Sequence, residues 1–259
     1  MDWNSDGAHD LLVGNAVGNI IVFLNSGTKK EPLLTKGVYV HLGDVPLDAG
    51  IRTAPEAADW NGDGTMDLLV GSMDGRIKVY LNKGSERAPV FDSYSFLQVG
   101  GRDFDAGSRS APRVHDWNND GRKDLLVGEF EGSVYYLQNT GSETTPSFTR
   151  AGKLYLRNGD VLRYPSQQGF PRSRVYVSDW NDDGFYDLLV GGADGKIMLY
   201  MASPESSGSV KYFLNTNLNQ IIETARNLYL YAREKAGFLK RSVLDSRGQS
   251  DPLQSPQGK

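Results

Sequence analysis

The sequence predicts an all-β protein made of four repeats of a small antiparallel sheet, followed by one C-terminal α-helix. Three observations predict it. A nine-residue acidic loop recurs at residues 2–10, 59–67, 116–124 and 179–187; each copy runs into the same apolar strand, Leu-Leu-Val-Gly; and after residue 215 the apolar residues change from alternation to helical spacing. From loop to loop the chain advances 57, 57 and 63 residues, slightly more than the roughly 40 to 50 of familiar propeller blades.

Within a repeat the elements follow a fixed order. A short strand ends in Asp-Trp, the acidic loop turns the chain, and Leu-Leu-Val forms a continuous apolar run suited to burial on both faces. A turn then leads to an alternating run such as residues 76–82, Arg-Ile-Lys-Val-Tyr-Leu-Asn, the pattern of a half-buried strand. A Gly-Ser or Gly-Thr turn and a Pro-x-Phe segment complete the unit. Four strands per repeat is the arithmetic of a β-propeller blade, so the predicted architecture is a propeller of four recognisable blades, partial or open. Blade one lacks its innermost strand, because the sequence starts at the loop. Repeat proteins need a cap or closing strand, and residues 209–214 suit either the outer strand of blade four or the closure of blade one. Residues 1–215 are assigned to the blades. Residues 216–241 carry Leu218, Ile221, Ile222, Ala225, Leu228, Tyr229 and Ala232 at helical spacing and form one amphipathic helix. Residues 242–259 are polar, with Pro and Gly, and are expected to be disordered.

Composition sets limits. Thirty Gly and eleven Pro among 259 residues mark many turns, and with no Cys the chain has no disulfide to hold it. No run approaches the roughly 18 apolar residues of a membrane span, and no leader of signal-peptide type precedes the first loop. Twelve of the 32 acidic residues stand at positions 1, 5 and 9 of the loops, so four bound Ca2+ ions, eight positive charges, would carry the formal net charge from −4 to +4. Lys and Arg are scattered, which argues against nucleic acid as a partner.

In the loops, oxygen-bearing side chains fall at positions 1, 3, 5 and 9 with Gly at position 6, the way a short chain wraps ligands around a hard cation such as Ca2+. An EF-hand shares these positions but requires a bidentate Glu at position 12; here position 12 is Val13, Val70, Val127 and Val190, inside the apolar strand. A plain Asp/Asn/Gly turn needs two or three such residues, whereas each copy keeps five matching positions. Four equivalent sites argue for a structural metal over a catalytic one, since nothing in the repeat supplies a neighbouring acid, base or nucleophile.

The motif Asp-x-Asn-x-Asp-Gly-x-x-Asp followed by Leu-Leu-Val-Gly resembles the FG-GAP or VCBS-type repeat, the calcium-binding blade of integrin α-subunit propellers and of many bacterial exported and surface proteins. The resemblance covers about residues 1–203 and implies up to four Ca2+ ions, an extracellular or cell-surface location, and a loop between the innermost and second strands of each blade. It also implies the ligands: Asp2, Asn4, Asp6 and Asp10; Asp59, Asn61, Asp63 and Asp67; Asp116, Asn118, Asp120 and Asp124; Asp179, Asn181, Asp183 and Asp187. Position 7 (Ala8, Thr65, Arg122, Phe185) varies, as expected of a backbone carbonyl ligand.

All four Trp (Trp3, Trp60, Trp117, Trp180) occupy loop position 2, and either platforms for sugar rings or packing between blades would place them there; packing is preferred, because the residue is tied to the loop in every copy. His9, His41 and His115 stand in unrelated contexts and form no repeated site. Before each loop comes a long connection. Residues 47–55 and 104–112 match each other, and their shared Arg52 and Arg109 are read as structural, whereas residues 157–171 depart from the pattern. Loops carry binding on rigid scaffolds, so Arg163, Tyr164, Gln167, Gln168 and Phe170 are the candidate ligand contacts. The expected function is a calcium-stabilised binding or adhesion module for carbohydrate or protein, with another copy or further blades completing the propeller. The alternatives are a polysaccharide lyase or glycosidase built on a propeller, and a structural segment of a larger surface protein. No catalytic residue is assigned.

Overall fold

In a computed structural model, residues 1–165, 169–202 and 213–214 are described, and everything below refers to them. The repeats are antiparallel meanders. In the second, Ala54–Ala58, Asp67–Gly71, Ile77–Tyr80 and Ser95–Phe96 pair in chain order, and in the third Ala111–His115, Asp124–Gly128, Val134–Leu137 and Gly152–Lys153 do the same. The first repeat shows Leu11–Gly14, Ile20–Phe23 and Val38–Tyr39, without an innermost strand, and the fourth Arg174–Ser178, Asp187–Gly191 and Ile197–Tyr200. The fold is therefore all-β, a β-propeller with one main sheet per repeat; in the connections after the first and second sheets His41–Leu42 pairs with Val45–Pro46 and Gln98–Val99 with Arg102–Asp103. Phe213–Leu214 pairs in parallel with Tyr155–Leu156 of the third repeat, so it extends neither of the two sheets expected for it. The helix and tail expected at 216–259 lie outside the described residues.

Register fixes where each acidic loop begins and ends. Ala58 pairs with Asp67, His115 with Asp124 and Ser178 with Asp187, so the loop is the hairpin connection between the first and second strands of its sheet. Position 4 of the loop takes a left-handed conformation in every copy: Ser5 at φ 53°, Gly62 at 73°, Asn119 at 56° and Asp182 at 56°. The glycine at position 6 does too, with φ between 82° and 89°. Residues other than Gly, Asn and Asp visit this region at a cost, so the four loops share one demanding backbone shape.

Apolar side chains collect between sheets in three cores. Between the first and second sheets lie Trp3, Ile20, Val22, Leu68, Val70, Tyr80 and Phe91. Between the second and third lie Trp60, Leu69, Val79, Phe104, Leu125, Val127 and Phe148; between the third and fourth, Trp117, Leu126, Tyr136, Leu162, Tyr164, Leu188 and Val190. The strand alternation assigns the sides. Leu68 faces back to the first sheet and Leu69 forward to the third, both fully buried, each contributing about 1.5–3 kcal/mol of transfer free energy. This is why Leu-Leu-Val has no polar residue: the second strand is covered on both faces.

The glycine ending that strand has a steric cause. A Cβ at Gly14 would strike the carbonyl oxygen of Thr53, at Gly71 that of Ser110 and at Gly128 that of Ser173, each on the connection leading into the next sheet. The same hydroxyl residues stitch the sheets together: Ser110 Oγ donates to Arg76 O at 2.8 Å and Ser173 Oγ to Ser133 O at 2.6 Å.

Candidate metal centre

The acidic loops are held by their own backbone. In the second loop Gly62 N donates to Asp59 Oδ1 at 2.7 Å, Asp63 N to Asp59 Oδ1 and to Asn61 Oδ1, both at 3.1 Å, and Gly64 N to Asp59 Oδ2 at 3.0 Å. One N–H thus draws the oxygens of positions 1 and 3 together. Thr65 N closes on Asp63 Oδ1 at 2.8 Å, and Asn61 Nδ2 reaches Asp63 Oδ2 at 2.8 Å. All of these except the Gly62 contact recur in the first loop among Asp2, Asn4, Asp6 and Ala8, in the third among Asp116, Asn118, Asp120 and Arg122, and in the fourth among Asp179, Asn181, Asp183 and Phe185. Positions 1, 3 and 5 therefore stand together in every copy.

Position 9 behaves differently. Asp67 Oδ2 accepts Trp60 N at 2.9 Å and Oδ1 accepts Asn82 N at 2.7 Å, tying the start of the loop to the end of the third strand. Asp10 does this with Trp3 and Asn25, and Asp187 with Trp180 and Ala202. Asp124 accepts Asn139 N at 2.7 Å and the Tyr136 hydroxyl at 2.9 Å. Asp67, Asp124 and Asp187 are fully buried, while Asp6, Asp63, Asp120 and Asp183 at position 5 are open to solvent.

Electrostatics follow this division. Hydrogen bonds from Thr65 and Asn61 hold the Asp63 carboxyl below the ordinary carboxylate range, and those from Ala8 and Asn4 do so for Asp6. Burial pushes Asp67 and Asp187 up, and Asp124 up to about 6, helped by the carboxylates of their own loops. A divalent cation at the loop would reverse that repulsion.

Among the described residues no three His, Cys, Asp or Glu side chains form a ligating group. Each loop gathers two carboxylates and an amide at positions 1, 3 and 5, with the position 7 N–H on the position 5 carboxylate. Hard oxygen donors of this kind fit Ca2+. Position 9 would join only through lone pairs its N–H partners leave free, since each carboxylate oxygen accepts more than one contact. The third loop carries a cation of its own: Arg122 Nη2 lies 2.5 Å from Asp120 Oδ2, and its Nε donates to Asn139 O at 3.0 Å.

Three of the loop Trp residues are buried, Trp3, Trp60 and Trp117, and sit in the cores between sheets. Trp3 meets Phe91 with ring centroids 6.3 Å apart, and Trp60 stacks on Phe148 at 5.9 Å and 17°. Trp180 is 37 % exposed. Among the candidate ligand contacts, Arg163 is exposed and Phe170 is 59 % exposed, its ring 5.6 Å from that of Phe130. Gln167 and Gln168 lie outside the described residues. Tyr164 is buried in the third core with its hydroxyl on Asp194, and its ring presents no surface to a ligand. Sequence reasoning left out Arg172, which the structure makes the equivalent of Arg52 and Arg109: each has a positive φ, and their N–H groups donate to Ala16 O, Met73 O and Phe130 O in turn. Counting back seven residues from the first Asp of each loop would have found all three.

A family model described as FG-GAP-like repeat matches residues 2–70, 59–127 and 116–190, each window running from one acidic loop through the Leu-Leu-Val strand of the next repeat. Integrin alpha-4 of Xenopus laevis is 29 % identical over 198 residues, covering 70 % of this chain and 18 % of that protein. Integrin alpha-3 of Cricetulus griseus is 31 % identical over 197 residues, 71 % of this chain and 18 % of that protein. The chain thus spans about a fifth of the length of these relatives.

Proposed function

The chain belongs to the FG-GAP-like repeat family, and on that premise we propose that it is a calcium-stabilised propeller module that binds a protein or carbohydrate ligand in an adhesive role outside the cell. The observation that carries the reading is the fourfold recurrence of one backbone-held cluster of two carboxylates and an amide on a rigid sheet scaffold. A cation there neutralises carboxylates that otherwise repel at a few Å and fixes the hairpin between the first and second strands. Similarity to integrin alpha chains supports the adhesive role, with a protein as the first ligand class to test. Among the described residues no helix is long and apolar enough to cross a membrane. The irregular connection that carries Arg163, Gln167, Gln168 and Phe170 is the proposed ligand contact.

The proposal includes further blades of the same kind. In the first two of the three interfaces a loop Trp packs on the Phe of the following repeat, Trp3 on Phe91 and Trp60 on Phe148. On the fourth sheet Trp180 and Ile197 are exposed, and a following blade, from a second copy or from other repeats, would bury them in the same way.

The test is a thermal melt of the purified chain with excess Ca2+ and with chelator. A ligand that binds only the folded state adds about 2.7 kcal/mol at one hundred times its dissociation constant, so a cooperative transition should rise by several degrees with Ca2+. A cooperative melt indifferent to chelator would defeat the structural-calcium reading. Saturable ligand binding that chelator abolishes would join the metal to the adhesive role.

A further inference from the structure

Away from the acidic loops, the inter-sheet connections carry three arginines, two of which hold buried N–H groups without a partner. Arg52, Arg109 and Arg172 each stand two residues ahead of Ala54, Ala111 and Arg174, which open the innermost strands of the second, third and fourth sheets, and those strands pack against one another in succession. The arginines therefore stand side by side at one end of the innermost strands, and the acidic loops leave from the other end. Five residues at about 3.3 Å each separate the two ends.

The backbone at all three arginines is left-handed, with φ of 61°, 53° and 46°, a conformation that a long side chain adopts at a cost and that recurs at functional positions. Arg109 is 9 % exposed. Phe130 covers one face of its guanidinium, 5.0 Å from the ring centroid, which leaves the N–H edge free, and its Nε and Nη1 are buried without a hydrogen-bond partner. Arg172 Nε is buried and unpartnered as well. Arg174, the next arginine along, donates through Nη1 to the carbonyl oxygen of Arg109 at 3.3 Å. The charges acting on Arg109 are those of Arg172 and Arg52, and burial with these neighbours lowers its affinity for its proton. The Glu129 carboxylate turns its oxygens to the N–H groups of Glu131 and Ser133. Buried donors without acceptors are rare in native proteins and call for a bound species, and forked guanidinium donors match the oxygens of a tetrahedral anion.

We propose that Arg52, Arg109 and Arg172 form a binding site for a dianionic oxyanion, sulfate or phosphate, at the end of the innermost strands opposite the acidic loops. Two negative charges offset the crowding of three guanidinium groups, and the oxygens satisfy the free edges of Arg109 and Arg172. The site is independent of the metal loops, so an anion can bind whether or not Ca2+ is present.

The test is isothermal titration of inorganic sulfate and inorganic phosphate into the full chain at fixed chloride and fixed Ca2+, with the thermal melt as a second readout. Saturable one-to-one binding and a raised melting temperature are expected. Arg109→Gln and Arg172→Gln should each weaken binding about tenfold or more, through loss of a charge-assisted pair. Arg109→Lys, which keeps the charge and loses the fork, should weaken it while still melting cooperatively. Arg150→Gln, an exposed arginine elsewhere, should leave it unchanged. A methyl phosphate titration above the ester's second pKa, where it keeps both charges, separates the sources: an ester that binds as well as the free ion means the site reads the tip of a larger ligand, and a much weaker one means it encloses a free ion. No saturable binding by wild type, or binding that survives both glutamine substitutions, overturns the proposal.

Discussion

Gly71 abuts the carbonyl oxygen of Ser110 so closely that a methyl group on its Cα would fall well inside van der Waals contact. Its φ is not in the left-handed region, so this glycine is required for space and not for backbone freedom. Gly128 stands in the same relation to Ser173, while at Gly191 a Cβ would find its nearest neighbour at 3.9 Å. Alanine at 71 or 128 should therefore destabilise the protein by about 1–3 kcal/mol through overpacking, and alanine at 191 should be close to neutral. Urea midpoints of the three variants measure this, and an equal loss at all three sites would show that crowding by the next sheet is not the cause.

The stacked pair Trp60 and Phe148 joins the second sheet to the third across a buried core. Removing either ring to Ala should cost about 3–5 kcal/mol. Because each ring supplies much of the other's contact surface, the double variant should lose less than the sum, with a coupling of about 0.5–1.5 kcal/mol beyond area burial. A double-mutant cycle by chemical denaturation gives the coupling directly. Additivity would mean that the rings pack on the surrounding aliphatic residues and not on each other.

Glu56 lies between sheets, with Arg113 Nη1 3.2 Å from one carboxylate oxygen and Val114 N 3.3 Å from the other. Burial raises its pKa above the ordinary 4.5, against the opposing pull of Arg113. In the window just above 4.5 the folded state then holds more proton than the unfolded chain, so this residue makes stability decline as pH rises through that window. Glu56→Gln keeps a hydrogen-bond acceptor and removes the titration. Relative to wild type, the variant should gain stability as pH is raised from about 4 to 7. Denaturation midpoints across that range provide the check, and a constant difference between the two proteins would remove Glu56 as the source.

The propeller class was legible because its cause is local and repeated. Leu68 and Leu69 announce a strand covered on two faces, and Trp60 travels with its loop because it fills the gap to the next sheet. What sequence reasoning misjudged depends on partners distant in the chain. Tyr164 looked like a loop residue free to touch a ligand, yet its connection folds inward, where the ring fills the core against Val190 and the hydroxyl finds Asp194. Arg172 was hidden by the extra residues upstream of it, and it lies one residue past the irregular stretch 157–171. The acidic positions looked equivalent in sequence, because an Asp at position 5 and an Asp at position 9 are the same letter. Only the register, which places position 9 inside the second strand opposite Ala58, His115 or Ser178, separates them.

That separation gives the most discriminating experiment on the loops. Asp63 is open to solvent and its main-chain and Thr65 contacts lie within the loop, whereas Asp67 is buried and accepts Trp60 N and Asn82 N from two different segments. Asp63→Ala should lower Ca2+ affinity at its loop by at least about tenfold through loss of one charged ligand, while stability in chelator changes by less than about 1 kcal/mol. Asp67→Ala leaves two buried N–H groups without an acceptor, at about 1–3 kcal/mol each, so it should destabilise the protein in chelator as well as in Ca2+. Melts of both variants in the two conditions, with Ca2+ titrations alongside, separate ligation from architecture. If Asp63→Ala destabilises the metal-free protein as much as Asp67→Ala does, the exposed carboxylates are part of the hairpin and not a metal site held ready by it.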